Sequence, residues 1–293
     1  MADPCVSKLR LWEGWTTGLA EAPPTAAPAS SSGISSMTES AEILFAREAF
    51  QLRRRHRPSA EPFSLQWFLD AESARHARQG RWMPRLLEFA RHRGERLLGV
   101  GGGLGSDWVQ YARNDCEVIA CHATDDGLGL IRRNFELRGL PARFIRAEPA
   151  ALPLESASID VACLNEMASW TDVNKVAAEL YRVLKPGGKV LAVTRARYDV
   201  DFWWRDWLPW GRLLRPTSLV AAEDPNRFSG RQLRRRFGRF VEHRVYKRHL
   251  RRAEVPHLLR WLPLPLLERL LGRLLILKAF KPLSAAISVP LAA

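Results

Sequence analysis

Four glycines crowd one short turn of the chain, at Gly101, Gly102, Gly103 and Gly105. The apolar run Arg96–Val100 before them predicts a strand, and Leu104–Arg113 after them predicts a helix. A strand, a glycine turn and a helix in that order bring the main chain close to a nucleotide-like ligand, because glycine has no Cβ to stand in the way. The four cysteines, Cys5, Cys116, Cys121 and Cys163, form no C-x-x-C pair and show no metal-ligand spacing, so no metal is expected. Cys121 and Cys163 fall within predicted buried strands, where thiols behave as small hydrophobes, and this cysteine usage suits a reducing, cytoplasmic compartment.

The elements that must position the glycine turn alternate along the sequence. Strands are predicted at Arg96–Val100, Glu117–His122, Ala142–Ala147, Ile159–Leu164 and Lys189–Thr194. Between them, helices are predicted at Leu104–Arg113, Asp125–Arg138 and Asp172–Leu184, the last ending at the turn Lys185-Pro186-Gly187-Gly188. This alternation predicts an α/β, Rossmann-like, doubly wound and mostly parallel sheet with helices on both faces. Ser229 with Gln232 reads as a capping box opening a basic helix to Phe237. Phe240–Arg248 and Leu274–Phe280 read as two further strands.

Upstream, residues 1–37 are rich in Pro, Ala and Ser and read as a disordered segment. Residues 38–93 read as an N-terminal helical extension, with helices at Ser40–Arg57, Pro62–Gln79 and Trp82–Arg93. Their expected buried faces carry Leu65, Phe68 and Leu69, then Leu86, Leu87 and Phe89. The remaining boundaries are a core over 94–194, a Trp-rich insertion over 195–228, a part completing the sheet over 229–283 and a tail over 284–293.

The formal charge is +14, and 38 of the 45 basic residues are arginine. Such a charge suits nucleic acid, phosphate or an anionic membrane surface. The arginines are spread over most of the chain, however, which is the pattern of a biased composition. The basic runs Arg231–Arg239 and Arg244–Arg252 match no recognised nucleic-acid module, so nucleic acid is not the expected partner. No run of 18 or more apolar residues occurs, so no spanning helix is expected. The apolar stretch Leu258–Leu277, with Arg260, Arg269 and Arg273 interleaved, can pack on the sheet edge or lie on a membrane surface as a peripheral contact.

Four stretches in order resemble class I S-adenosylmethionine (SAM)-dependent methyltransferases of the "type 11" small-molecule group. They are GVGGGLGSDWVQYAR, RFIRAEPAALPLESASIDVACLNE (Arg143–Glu166), ELYRVLKPGGKVLAV (Glu179–Val193) and the tail RFSGRQLRRRFGRF…LILKAFKP. The resemblance covers about 85–281. It implies a seven-stranded sheet with Leu274–Phe280 inserted antiparallel, SAM as cofactor, and methyl transfer to a small-molecule acceptor. It also implies a cofactor site of Gly99, Gly101, Gly103, Gly105, His122, Glu148 and Asn165. In that pattern His122 faces the ribose, Glu148 the adenine amino group, and Asn165 the methionine portion. The family usually carries a carboxylate where this chain has Gly99 and His122; Asp125 and Asp126 follow close behind the latter.

No catalytic base stands out. Glu166 is the nearest carboxylate after the fourth strand, where the subgroup often has His and this chain has Ser169 and Trp170. Tyr198 lies just past the fifth strand, and Trp203, Trp204, Trp207 and Trp210 sit where the family builds its substrate lid. They suit either an aromatic wall for an apolar or planar acceptor or simple packing. A second reading keeps the fold, drops catalysis and makes the chain an interaction module.

Overall fold

The structure is a computed structural model that describes residues 41, 43–45, 48, 60–77, 81–101, 103–165, 172–202, 227–255 and 257–283. The chain divides into two compact units, Met1–Thr38 and Glu39–Ala293, and every described residue belongs to the second. Its strands are β1 (Arg96–Gly101), β2 (Glu117–His122), β3 (Arg143–Arg146), β4 (Ile159–Asn165), β5 (Leu184–Ala196), β6 (Arg227–Phe228), β7 (Val241–Arg248) and β8 (Leu274–Phe280). The sheet order is β3-β2-β1-β4-β5-β8-β7, with the two-residue β6 pairing beside the end of β5. Strands β1 to β5 run parallel, and β8 lies antiparallel between β5 and β7, as expected.

Alternation along each strand sends neighbouring side chains to opposite faces. On β1, Leu98 and Val100 join one core with Ile119, Cys121 and Leu164, covered by α5 (Val173–Val183). Leu97 points the other way and packs with Trp108, Val109, Ile131 and Phe135 of α3 (Ser106–Arg113) and α4 (Asp125–Leu137). Both faces are therefore dry, which is why the parallel strands read as near-continuous apolar runs.

Three sequence expectations need correction. The helix expected at Leu104–Arg113 begins only at Ser106, because Gly105 is left-handed at φ 71 and serves as the N-cap. Strand five extends to Leu184–Ala196, and Lys185–Gly188 bulge out of it: Ile159 pairs with Leu184 and Val161 already with Lys189. The expected helix Trp82–Arg93 shrinks to α2 (Met83–Leu86), after which Glu88 turns the chain at φ 57. In the extension, α1 (Leu65–Arg75) is capped by Ser64 and buries Trp67, Phe68 and Ala71, while Leu65 is exposed. Residues 41, 43–45 and 48 are helical; the rest of Ser40–Arg57 lies outside the described residues.

Candidate functional site

Strands β1 and β4 end side by side, with Gly101 paired to Asn165. Gly101 has φ 121, and a Cβ there would run into the main-chain carbonyl of Asn165. Gly103 has φ 96, and its Cβ would lie 2.7 Å from Glu48 Oε2. Both positions favour glycine for their positive φ, and Gly101 also for lack of space against main chain. Gly102 lies outside the described residues.

The other two glycines do different work. Gly99 sits on the α3 face of β1, and a Cβ there would be 2.5 Å from the Trp108 ring. The indole leaves no room for a side chain at this position. A Cβ on Gly105 would lie 3.0 Å from Ile131 Cγ2, so this glycine lets α3 close on α4.

A buried polar cluster stands behind the loop. Arg75 of α1 grips Asp107 of α3 with two donors, Nε to Oδ1 at 2.7 Å and Nη2 to Oδ2 at 2.5 Å. Its Nη1 donates to the Glu48 carbonyl at 3.0 Å. Burial alone would raise the Asp107 carboxyl, but the Arg75 guanidinium outweighs burial and holds it well below the usual carboxylate range. The Glu48 side chain accepts the Leu104 amide at 3.1 Å, tying the N-terminal extension to the glycine loop. Glu48, Arg75 and Asp107 were not among the expected site residues. An acid in the first turn of a helix is a visible signal for Asp107, but nothing local points to partners 32 and 56 residues away.

Asn165 completes the cluster. Its Nδ2 donates to Asp107 Oδ2 at 3.1 Å. Its Oδ1 is buried with no partner among the described residues, and so is Ser106 Oγ in the first turn of α3. A buried polar atom left unpaired costs about 1–3 kcal/mol, so two beside a glycine cradle mark hydrogen-bonding capacity for a ligand. SAM fits this arrangement: it carries N–H donors for Asn165 Oδ1 and acceptors for the Ser106 hydroxyl.

At the neighbouring strand ends, His122 pairs with Arg146, and the Ala147 amide donates to the His122 carbonyl at 3.1 Å. This brings His122 and the exposed Glu148 to one rim of the sheet. His122 Nδ1 accepts the Thr124 amide at 3.0 Å, and its ring lies over Gly127, where a Cβ would collide with it. With Nδ1 engaged by Thr124, only Nε2 is left to meet a ligand, where a carboxylate would offer two oxygens. Asp125 is committed to Arg146 at 2.7 Å, and both side chains are largely exposed.

Three cysteines of the described chain are free and buried. Burial pushes the Cys116 thiol up to about 12 and Cys121 to about 11, so neither is a ready nucleophile. Tyr198 packs edge-on against Phe202 at 5.0 Å. Glu166, Ser169, Trp170, Trp203, Trp204, Trp207 and Trp210 lie outside the described residues. No group of three or more metal-ligating side chains occurs among the described residues.

Parallel strands ending on a glycine cradle, with an antiparallel strand inserted beyond β5, define the class I methyltransferase fold. Residues 98–192 match the family model described as a methyltransferase domain. Demethylmenaquinone methyltransferase of Thermus thermophilus is 30% identical over 117 residues, covering 39% of this chain and 53% of that protein. The ubiquinone/menaquinone biosynthesis C-methyltransferase UbiE of Idiomarina loihiensis is 31% identical over 105 residues, 34% of this chain and 42% of that one. The chain thus spans about half the length, or less, of these curated relatives. Geranyl diphosphate C-methyltransferase from Streptomyces coelicolor shares the fold, with a TM-score of 0.51 and 18% identity over 77% of this chain and 82% of that one.

Proposed function

We propose that the chain is a SAM-dependent methyltransferase acting on an apolar small molecule. The observation that carries this reading is the cradle of Gly101 and Gly103 beside the unpartnered Asn165 Oδ1. Gly101, Gly103 and Asn165 would hold the amino acid half of SAM, with Ser106 nearby. His122 and Glu148 would face the ribose and adenine from the ends of β2 and β3. Gly99 and Gly105 serve the site by packing, letting Trp108 and Ile131 close under the loop.

When bound, SAM supplies a methyl group already activated on a sulfonium. The protein must therefore chiefly orient and dry the reacting groups, and positioning alone can supply ~7–11 kcal/mol of the barrier. The Arg75–Asp107–Asn165 chain of hydrogen bonds fixes the Asn165 amide, so its Oδ1 is presented to the ligand in one orientation. The two curated relatives are named for methylating quinone precursors or for quinone biosynthesis, which suits an apolar acceptor here. The buried free thiols suit work in the cytoplasm.

The test is label transfer. The protein is incubated with methyl-labelled SAM and an organic extract of cell lipids. Label in the organic phase that depends on the protein is the expected result, and label that never leaves the aqueous phase would count against the reading.

A further inference from the structure

Of the nine large apolar side chains that face solvent among the described residues, four gather at one place. Leu259 is 39% exposed, Trp261 78%, Leu266 45% and Leu270 55%. All four fall within or just before α8 (Leu264–Leu271). The other side of α8 is properly buried, since Leu267 and Leu271 pack against Val200, Leu250 and Val255. Leu266 and Leu270 are one helical turn apart and form a stripe of their own beside that buried face. The turn that carries Trp261 is held rigidly. Arg252 Nη1 donates to the Arg260 carbonyl at 2.7 Å, and Arg260 Nε donates to the Val255 carbonyl at 2.9 Å. The indole is therefore presented to solvent by a fixed scaffold.

The surrounding charge is one-sided. Between 251 and 272 the sequence carries Arg251, Arg252, Arg260 and Arg269 against Glu254 and Glu268. Both glutamates are already in ion pairs, Glu254 with Arg273 and Glu268 with Arg248. Arg269 lies on the exposed face, between the two leucines in sequence.

We infer that Leu259–Leu270 docks the protein on an anionic lipid bilayer. Trp261 and Leu259 just before a short amphipathic helix, with Leu266 and Leu270 on it and the exposed Arg251 and Arg269 nearby, match the interface of such a membrane, where the apolar side chains enter the acyl boundary and those two guanidiniums meet lipid phosphates. A patch built only for packing within the molecule would not leave the indole in water, and a purely basic face would not carry the leucines. None of the described helices is long and apolar enough to cross a membrane, so the contact is peripheral.

The patch sits at the end of the sheet that carries the glycine loop. Leu274, just after α8, pairs with Arg195 near the carboxyl end of β5, which runs parallel to β4 and its Asn165. Lys247 Nζ ties the Leu270 carbonyl to the Tyr198 carbonyl, just past β5. A bilayer held there lies at the same end of the sheet as the glycine loop. The docking itself does not rest on the methyl-transfer reading.

The experiment is co-sedimentation of the full chain with vesicles, of phosphatidylcholine alone and of phosphatidylcholine mixed with phosphatidylglycerol. Wild type is expected to bind the mixed vesicles and to release with salt. The double substitution Trp261→Ser, Leu270→Ser should weaken binding by about tenfold or more with the melting temperature unchanged, since both side chains are exposed. Arg269→Glu should weaken binding to the mixed vesicles only. Wild type that sediments with neither vesicle, or a double variant that binds as wild type does, overturns the inference. So does a wild-type dimer that the double substitution dissociates, which would make the patch a contact with a second copy. A chain that binds vesicles but transfers no methyl group would leave the docking intact and remove only the proposed activity.

Discussion

At the residue scale the site depends on one buried ion pair. Asp107 is fully shielded from water and answered by two donors of Arg75. Removing one partner of a buried pair strands the other charge, at a cost of about 3–5 kcal/mol. Arg75→Met should therefore lower unfolding free energy by that amount in urea titration, and it should also weaken cofactor binding by releasing Asn165. His122 gives the opposite kind of prediction. A charged hydrogen bond contributes about 1.5–3 kcal/mol, so His122→Asp should tighten SAM binding by about tenfold or more; an unchanged dissociation constant would show that the ribose does not lie there. The glycine turn was legible because glycine spacing is a local signal. Gly99 was legible as a departure, but its reason, Trp108 lying nine positions on and folding back beneath it, is tertiary. Glu48 and Arg75 were not legible at all, since their roles exist only once α1 and the helical residues around Glu48 meet α3 and the glycine turn.

At the scale of elements, apolar runs predicted the strands of the parallel core to within a few residues because both faces are buried. The helix expected at Trp82–Arg93 failed because its apolar spacing serves a chain of tight turns, with Leu87 and Phe89 buried there. Glu88 in that turn joins two strands. It meets Lys189 of β5 at 2.5 Å and Lys278 of β8 at 2.8 Å. Burial would raise the Glu88 carboxyl, but hydrogen bonds from Lys189 and Lys278 bring it from 4.5 down to about 2. Its contribution is present above pH 4.5 and is lost as pH falls toward about 2. Acid unfolding followed by circular dichroism should accordingly show a shallower loss of stability across this window in Glu88→Gln than in wild type. The capping box at Ser229, visible from its Gln232 partner, is formed in the structure. Ser229→Ala should cost about 1 kcal/mol in thermal unfolding.

For the whole molecule, the +14 charge suits an anionic partner. Some of the arginine is paired within the molecule: Arg138 on Glu72, Arg182 on Glu179, Arg227 on Asp199. What stays outward beside exposed leucines is the edge at Leu259–Leu270, and periodicity alone could not separate that edge from ordinary packing, because α8 has a buried and an exposed apolar stripe side by side. The order of the sheet places this edge and the glycine cradle at the same end of the strands. The central claim is that the cradle at Gly101, Gly103 and Asn165 holds SAM. Isothermal titration of the full chain with SAM tests it most directly. One saturating site per chain, weakened in Arg75→Met, is the result expected; a flat titration at millimolar SAM on the folded protein would contradict it.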